Sequence, residues 1–298
     1  MKDAAPTTVQ AIGLVCLAGL LFVVMNAMVK ALIDDHHPLQ LIWARYFFHV
    51  AFVVVLFPGK LAGVLRTGQT RVHLGRSVLL LGSTILNFLA LTSLPLGEVA
   101  AITFTSPIMV AALAVAVLRE QVGLVRWLAI GAGFGGALLI VQPSASGVSS
   151  GAVMALGCAA CFAVYQISTR IVREAEPIVS LLYGGLVGML AMSVVAPFVW
   201  QWPSLTDWLL FALIGVLGAA GHLLVIMALQ RAEASRISPF TYLQLVWAML
   251  ASFLVFGDVP GMWTLAGALV IVASGLYVYR LDMRERAALE AARRRAGA

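Results

Sequence analysis

The chain has 298 residues, of which 62% are hydrophobic and 11% charged, with a mean hydropathy of +1.00 and a formal net charge of +6. Soluble domains carry about 25% charged residues, so this composition excludes an ordinary soluble domain. Disorder, collagen and coiled coil are excluded too, because each needs more polar, charged or repetitive sequence. Cys16, Cys158 and Cys161 all sit in apolar runs, so no disulfide framework is expected and the class is a polytopic membrane protein.

A helix needs about 20 mostly apolar residues to cross hydrocarbon, where no water satisfies the backbone. In chain order, ten such runs are predicted at 9–31, 40–57, 75–93, 98–118, 124–141, 151–170, 178–199, 206–229, 236–256 and 262–280. Breakers separate them: Asp34–Pro38, Pro58–Gly59, Pro95–Gly97, Gln142–Gly151, Glu176–Pro177, Trp202–Pro203 and Gly257–Gly261. A secretory signal is not expected, because only Lys2 precedes the first run and that run is too long for an h-region.

Orientation follows from Lys and Arg. With a cytoplasmic N-terminus, the inner segments hold Lys2; Lys60, Arg66, Arg71 and Arg76; Arg119 and Arg126; Arg170 and Arg173; Arg231 and Arg236. The tail adds Arg280, Arg284, Arg286, Arg293, Arg294 and Arg295, which brings the total to 17 of 19 basic residues. The outer loops hold none, and Lys30 and Arg45 lie within spans near the outer face. The pattern satisfies the positive-inside rule, so the basic charge is topological and a nucleic-acid partner is not expected. The expected location is a bacterial inner membrane, multi-pass, with both termini cytoplasmic. For the Arg-rich tail two readings stand: a frayed, solvated helix end, or contact with anionic lipid.

The chain also matches itself at a shift of about 138 residues. Gly13 falls on Gly151 and Gly19 on Gly157; after one residue of slip, Pro38 falls on Pro177. At 138 again, Ala90-Leu91 falls on Ala228-Leu229, Thr103 on Thr241 and Glu120 on Asp258. Each copy holds five spans, an odd number, so the second enters the bilayer from the opposite side. The expected fold class is an all-α polytopic membrane protein of ten transmembrane helices in two inverted five-helix repeats. The first repeat is 1–142, the second 143–280, and 281–298 is a basic cytoplasmic tail.

The segment from Ala90 to Glu120 (ALTSLPLGEVAAITFTSPIMVAALAVAVLRE) resembles the EamA-type module of the drug/metabolite transporter superfamily. The matching features are an Ala-Leu helix end, a short loop, a proline within the fourth helix and a closing acidic residue. Arg45 also stands where that family often carries an arginine. The second half matches more loosely, with Leu245 in the place of Pro107. Within the superfamily the chain is most similar to exporters of amino acids, including the aromatic amino-acid exporters of the YddG type. The resemblance implies a central cavity lined by helices 1–4 and 6–9, a scaffolding role for helices 5 and 10, and export of amino acids or related metabolites by alternating access. No cofactor is expected, and the expected partners are a small-molecule substrate and the lipid bilayer; a monomer is the expected state, since each half supplies one wall of the pore.

Polar groups at bilayer depth are costly and face a cavity or another helix. Positions that are polar in both copies pair Thr103 and Ser106 with Thr241 and Gln244, Thr84 with His222, and Asn26 with Tyr165. A spacing of three puts Thr103 and Ser106 on one helix face, and the set would form a polar ring around the pseudo-two-fold axis. Interhelical hydrogen bonding is the alternative role for each residue. Phe22, Asn26 and Lys30 form one stripe on the first helix, and Arg45 and His49 another on the second. Arg45 is read either as a docking charge for a substrate carboxylate or as a residue snorkelling to the outer face. His49 and His222 are either proton carriers or packing residues. Asn87, Tyr165, Tyr242 and Trp247 complete the expected substrate path, and Pro107 is the expected hinge, bending its helix while the counterpart stays straight.

Other motifs point away from chemistry. Gly131, Gly133 and Gly136 satisfy G-x-G-x-x-G, but without a strand–helix context. Gly131/Gly135 and Gly184/Gly188 read instead as small-residue contacts between helices. Cys158 and Cys161 are packing residues on this reading. Asp34-Asp35-His36-His37 is read as a solvated polar loop rather than a metal site. Glu98, Glu120, Asp207 and Asp258 all fall at span ends, so no deep carboxylate is available for ion coupling. An intramembrane enzyme acting on lipid-like substrates is the rival class, and the clustered acid/base or metal set it would need is missing from the sequence.

Overall fold

A computed structural model describes residues 4–60, 70–118, 124–142, 148–171, 177–231 and 240–296. The described residues are helical throughout, with turns and no strand. The helices are α1 (Ala4–Leu32), α2 (Pro38–Leu56), α3 (Thr70–Leu91), α4 (Leu96–Thr103), α5 (Ser106–Leu118), α6 (Leu124–Val141), α7 (Ser150–Ile171), α8 (Pro177–Val195), α9 (Leu205–Arg231), α10 (Leu243–Phe256) and α11 (Met262–Ala296). Seven described stretches are long and apolar enough to cross a bilayer, with three shorter apolar ones at Leu96–Val110, Trp127–Val141 and Leu243–Phe256. Lys2, Arg66, Arg119, Glu120, Arg173 and Arg236, which enter the orientation and repeat readings, lie outside the described residues.

Local chemistry sets the boundaries. Pro38 opens α2, where its missing N–H costs nothing, and His37 Nδ1 accepts from the Leu39 amide at 3.3 Å. Ser149 accepts from the Ala152 amide at the start of α7. At α9, Ser204 and Asp207 cap each other reciprocally, Asp207 N to Ser204 Oγ at 3.2 Å and Ser204 N to Asp207 Oδ2 at 2.8 Å. Helix α10 ends on Gly257 at φ 72°, a left-handed C-cap that a side chain would strain. Two boundaries differ from the sequence reading. Helix α3 begins at Thr70, five residues before the predicted span. Helix α11 runs on to Ala296 where a frayed end was one expectation, because its tail after Asp282 is built of Met, Ala, Arg, Glu and Leu, all strong helix formers.

The packing is repetitive. Helix α1 lies against α9 as α3 lies against α7; α2 against α9 as α3 against α8; α1 against α10 as α4 and α5 against α7. The pairs α6–α11, α2–α8 and α4–α10 also touch. Exchanging each predicted span for the one five places along the chain maps these pairs onto one another, whereas the contacts of α4 and α5 with α6 and α11 have no counterpart of similar extent at α10. At the α6–α11 seam the correspondence reaches single residues. Gly136 and Gly267 meet so closely that a Cβ on either would strike the other's carbonyl oxygen. Their positions 138 residues on and back hold Ser274 and Ala129, and Ser274 Oγ donates to the Ala129 carbonyl.

Contacts define two ends of the bundle. At one, Trp43 stacks on Phe47 and meets Trp200 and Trp208 edge-on. There Gln40 also exchanges two hydrogen bonds with the Gln201 backbone, at 2.7 and 2.9 Å. The other end carries Lys60, Arg71 and Arg231. We call these the aromatic and basic ends.

Several sequence expectations need correction. His36 is 6% exposed rather than solvated. It packs edge-on against Phe211 with Nε2 3.3 Å from Asp207 Oδ2, because α9 begins beside the α1–α2 turn. Gly131 and Gly135 have no neighbouring atoms for a Cβ to meet, while Gly133 and Gly136 face Ser274 and Gly267. The packing glycines of α6 are therefore the other pair of that run. Gly184 and Gly188 do admit neighbours, Leu80 and the Tyr46 ring.

Candidate functional site

The expected fourth span is two helices. Residues Phe104 and Thr105 form a turn between α4 and α5, which places Pro107 in the first turn of α5. The physical reason is steric: the proline ring excludes the carbonyl four residues earlier, Thr103, and Pro107 has no N–H to give it. Pro107 therefore starts a helix instead of bending one. The expected straight counterpart is also interrupted. Tyr242, 138 residues after Phe104, is a turn residue preceding α10, although Leu245 stands in the proline's place. The Phe104 and Tyr242 rings meet at 5.6 Å. A break between Thr103 and Ser106 also means that these two residues do not share one continuous helix face.

The expected polar ring divides into separate groups. Asn26 on α1, Asn87 on α3, Thr103 on α4 and Gln244 on α10 converge on a cavity of about 60 Å³. Val23, Leu91, Leu96, Val99, Ala100, Phe104 and Ala248 complete its wall. Thr103 Oγ1 donates to the Val99 carbonyl at 2.7 Å. Asn26 Oδ1 is buried there without a hydrogen-bond partner among the described residues. Ser106 is buried in α5 outside that wall. Trp247 is half-buried on α10, its indole N–H likewise buried and unpartnered among the described residues.

A second group surrounds Arg45, which is 6% exposed. Its Nη1 donates to Thr84 Oγ1 at 2.5 Å, and Thr84 lies 2.8 Å from the Tyr46 hydroxyl and donates to the Leu80 carbonyl at 2.9 Å. The guanidinium carbon sits 5.1 Å from the Tyr46 ring centre and 5.9 Å from that of Phe88. Among the described residues Arg45 Nε is buried with no partner, and no described carboxylate pairs with the residue. Its bond to Thr84 holds Arg45 against α3. His49 and His222 flank it with ring centres 6.4 Å apart, His222 meeting Phe22 edge-on at 5.0 Å. His49 is buried too, at 4% exposed. Lys30, on the same stripe as Phe22 and Asn26, donates to the carbonyls of Leu91 and Leu94 at 2.8 and 3.0 Å. It thus satisfies the C-terminal end of α3.

Tyr165 belongs to neither group. It lies beside Arg76, which the sequence reading counted among the inner-side basic residues at the start of the third span; the early start of α3 instead places Arg76 six residues into the helix, where it is buried. The three-residue spacing of His73 and Arg76 was the available hint, since it puts both on one face. Among the described residues no group of three or more His, Cys, Asp or Glu is placed to hold a metal. Tyr242, buried, presses its hydroxyl against Gly275 of α11.

Comparison with known proteins adds a relationship to this geometry. The family model for the EamA-like transporter family matches twice, over residues 9–142 and 149–280. The S-adenosylmethionine uptake transporter of Rickettsia conorii is 28% identical over 93% of this chain and 95% of its own. The riboflavin transporter of Vibrio cholerae is 30% identical over 90% and 92%. Human solute carrier family 35 member G1 is 26% identical over 92% and 80%. One solved crystal structure superposes with a TM-score of 0.62 at 17% identity, over 94% of this chain and 99% of that one, which speaks to fold alone.

Proposed function

The chain belongs to the EamA-like transporter family and is a multi-pass membrane transporter of small metabolites; from that premise we propose that it moves an α-amino acid bearing an aromatic or heteroaromatic group. S-adenosylmethionine, which joins an amino-acid carboxylate to an adenine ring, is the leading solute, and its uptake the leading direction. The observation that carries the reading is Arg45: buried, oriented by Thr84, its Nε free, and without a carboxylate partner among the described residues. A planar guanidinium in a low-dielectric setting is the group best suited to take a carboxylate. The amides of Asn26, Asn87 and Gln244 next to Phe104 supply hydrogen bonds and a ring face for the rest of the solute.

On this reading ten spans form two inverted five-helix repeats, 1–142 and 143–280, followed by the basic tail 281–298. Support comes from the double match of the family model and from the exchange symmetry of the helix contacts. The setting is a bacterial inner membrane with both termini cytoplasmic, supported by the basic residues at one end of the bundle. Ligand pockets run to about 300–1,000 Å³, so a cavity near 60 Å³ corresponds to a closed arrangement that opens to admit solute. Efflux of aromatic amino acids, which the resemblance to amino-acid exporters implies, uses the same arginine and is the second reading.

Proteoliposomes test both. Labelled S-adenosylmethionine should enter saturably, with tryptophan competing and tryptophanamide not. Riboflavin competing more strongly than either carboxylate would transfer the reading to flavins. Counterflow driven by internal tryptophan alone would favour the second reading.

A further inference from the structure

Outside the Arg45 group, the described helices bury a second arginine. Arg76 on α3 is 6% exposed, and its Nε is buried without a partner among the described residues. Its two remaining nitrogens reach Ser180 Oγ on α8 at 3.4 Å and Tyr165 Oη on α7 at 3.3 Å. Both distances are at the long limit for a hydrogen bond, and neither partner carries a negative charge. The guanidinium carbon lies 5.1 Å from the Tyr165 ring centre. One turn earlier on α3, His73 is 1% exposed, stacked on Tyr183 at 4.9 Å, with its Nε2 also buried and unpartnered among the described residues. Buried polar atoms are normally hydrogen-bonded, so two adjacent exceptions on one face mark a place where acceptors belong.

The placement adds to the chemistry. Arg76 lies among α3, α7 and α8, whereas Arg45 lies on α2 beside α3 and α9, so α3 is the helix that the two niches share. Arg76 is nearer the basic end and the Arg45–Thr84 pair nearer the aromatic end. Thr84 follows Arg76 by eight residues on α3, which is about 12 Å at 1.5 Å per residue.

We propose that Arg76, with Tyr165 and Ser180, is a second station for the carboxylate of the transported solute, serving the basic end as Arg45 serves the aromatic end. This rests on the reading that the chain carries a carboxylate-bearing solute. The solute's anionic group is handed along α3 from one guanidinium to the other, so that it is never desolvated without a counter-charge. Each station loads solute from its own side.

Sided flux and a labelling experiment test it. In proteoliposomes of uniform orientation, Arg76→Gln should raise the KM for S-adenosylmethionine or tryptophan presented at the basic end about tenfold. The KM at the aromatic end should stay within twofold, and Arg76→Lys should recover part of the loss. Equal change at both ends, or none, overturns the proposal. The second measurement does not depend on the transported solute. In a chain whose three native cysteines are replaced by alanine, Ser180→Cys is labelled with a maleimide in the presence of benzoate or benzamide. Benzoate should slow labelling several-fold, benzamide should not, and adding Arg76→Gln should abolish the protection. Equal rates with the two probes overturn the station. Should the wild-type chain move neither solute, the reading of the function fails by itself, and the labelling result still decides the station.

Discussion

Burying an arginine costs about 2.5–3.5 kcal/mol on insertion scales, and Arg45 recovers part of that through Thr84 and the faces of Tyr46 and Phe88. Its worth to the protein is therefore testable by charge rather than by size. Arg45→Gln should weaken transport of carboxylates about tenfold and of the matching amides less than twofold, measured as KM in proteoliposomes; equal loss for both removes the docking role. Tyr242 and Gly275 give a test of packing. At the positions 138 residues earlier the chain has Phe104 and Ala137, so the second half carries one more hydroxyl and one less methyl. Gly275→Ala should cost about 1–3 kcal/mol by overpacking against Tyr242. Adding Tyr242→Phe should restore the thermal stability measured in detergent, because it recreates the Phe/Ala pairing. At this scale the sequence was partly legible. Residue type alone pointed to Arg45 and to Asn26, Asn87, Thr103 and Gln244, since polar groups in an apolar run are conspicuous. Arg76 was not legible, because a basic residue near a predicted span end looks like a topological charge until the true helix start is known.

Helices were the most readable level, as hydrophobic length and Pro or Gly punctuation fix them within a few residues. Breaks inside helices were not. Pro107 drew attention to its own position, but the interruption falls at Phe104 and Thr105, where the proline excludes the Thr103 carbonyl. No residue type in the second half announces the matching turn at Tyr242. Pro107→Ala gives residue 107 an N–H for that carbonyl and should fuse α4 with α5. Transport should fall several-fold while the amount of folded protein in the membrane stays near wild type; unchanged flux would show that the break has no part in movement. The α6–α11 seam behaves oppositely. Gly136→Leu cannot be accommodated against the Gly267 carbonyl, so it should reduce folded yield more than it changes the KM of what remains, as read by size-exclusion recovery and flux. Spacing alone favoured Gly131 and Gly135 for this contact; only the rotation of α6 about its axis selects Gly133 and Gly136.

For the whole molecule, basic residues in alternate segments and a self-match near 138 residues predict both termini on one side of the bilayer. Cysteine-accessibility mapping of residues 2 and 298 should find both reactive from the cytoplasm, and opposite sides would break the inverted arrangement. The contact pattern carries a further consequence for energetics. On the inverted-repeat reading, paired contacts such as α1–α9 and α3–α7 close opposite mouths of the molecule, so their contributions offset one another. What tilts the balance must then sit where the halves disagree: proline against leucine at 107 and 245, threonine against histidine at 84 and 222, phenylalanine against tyrosine at 104 and 242. Such mismatches act as the weights on a two-pan scale, and copying a residue across from its twin would shift the balance.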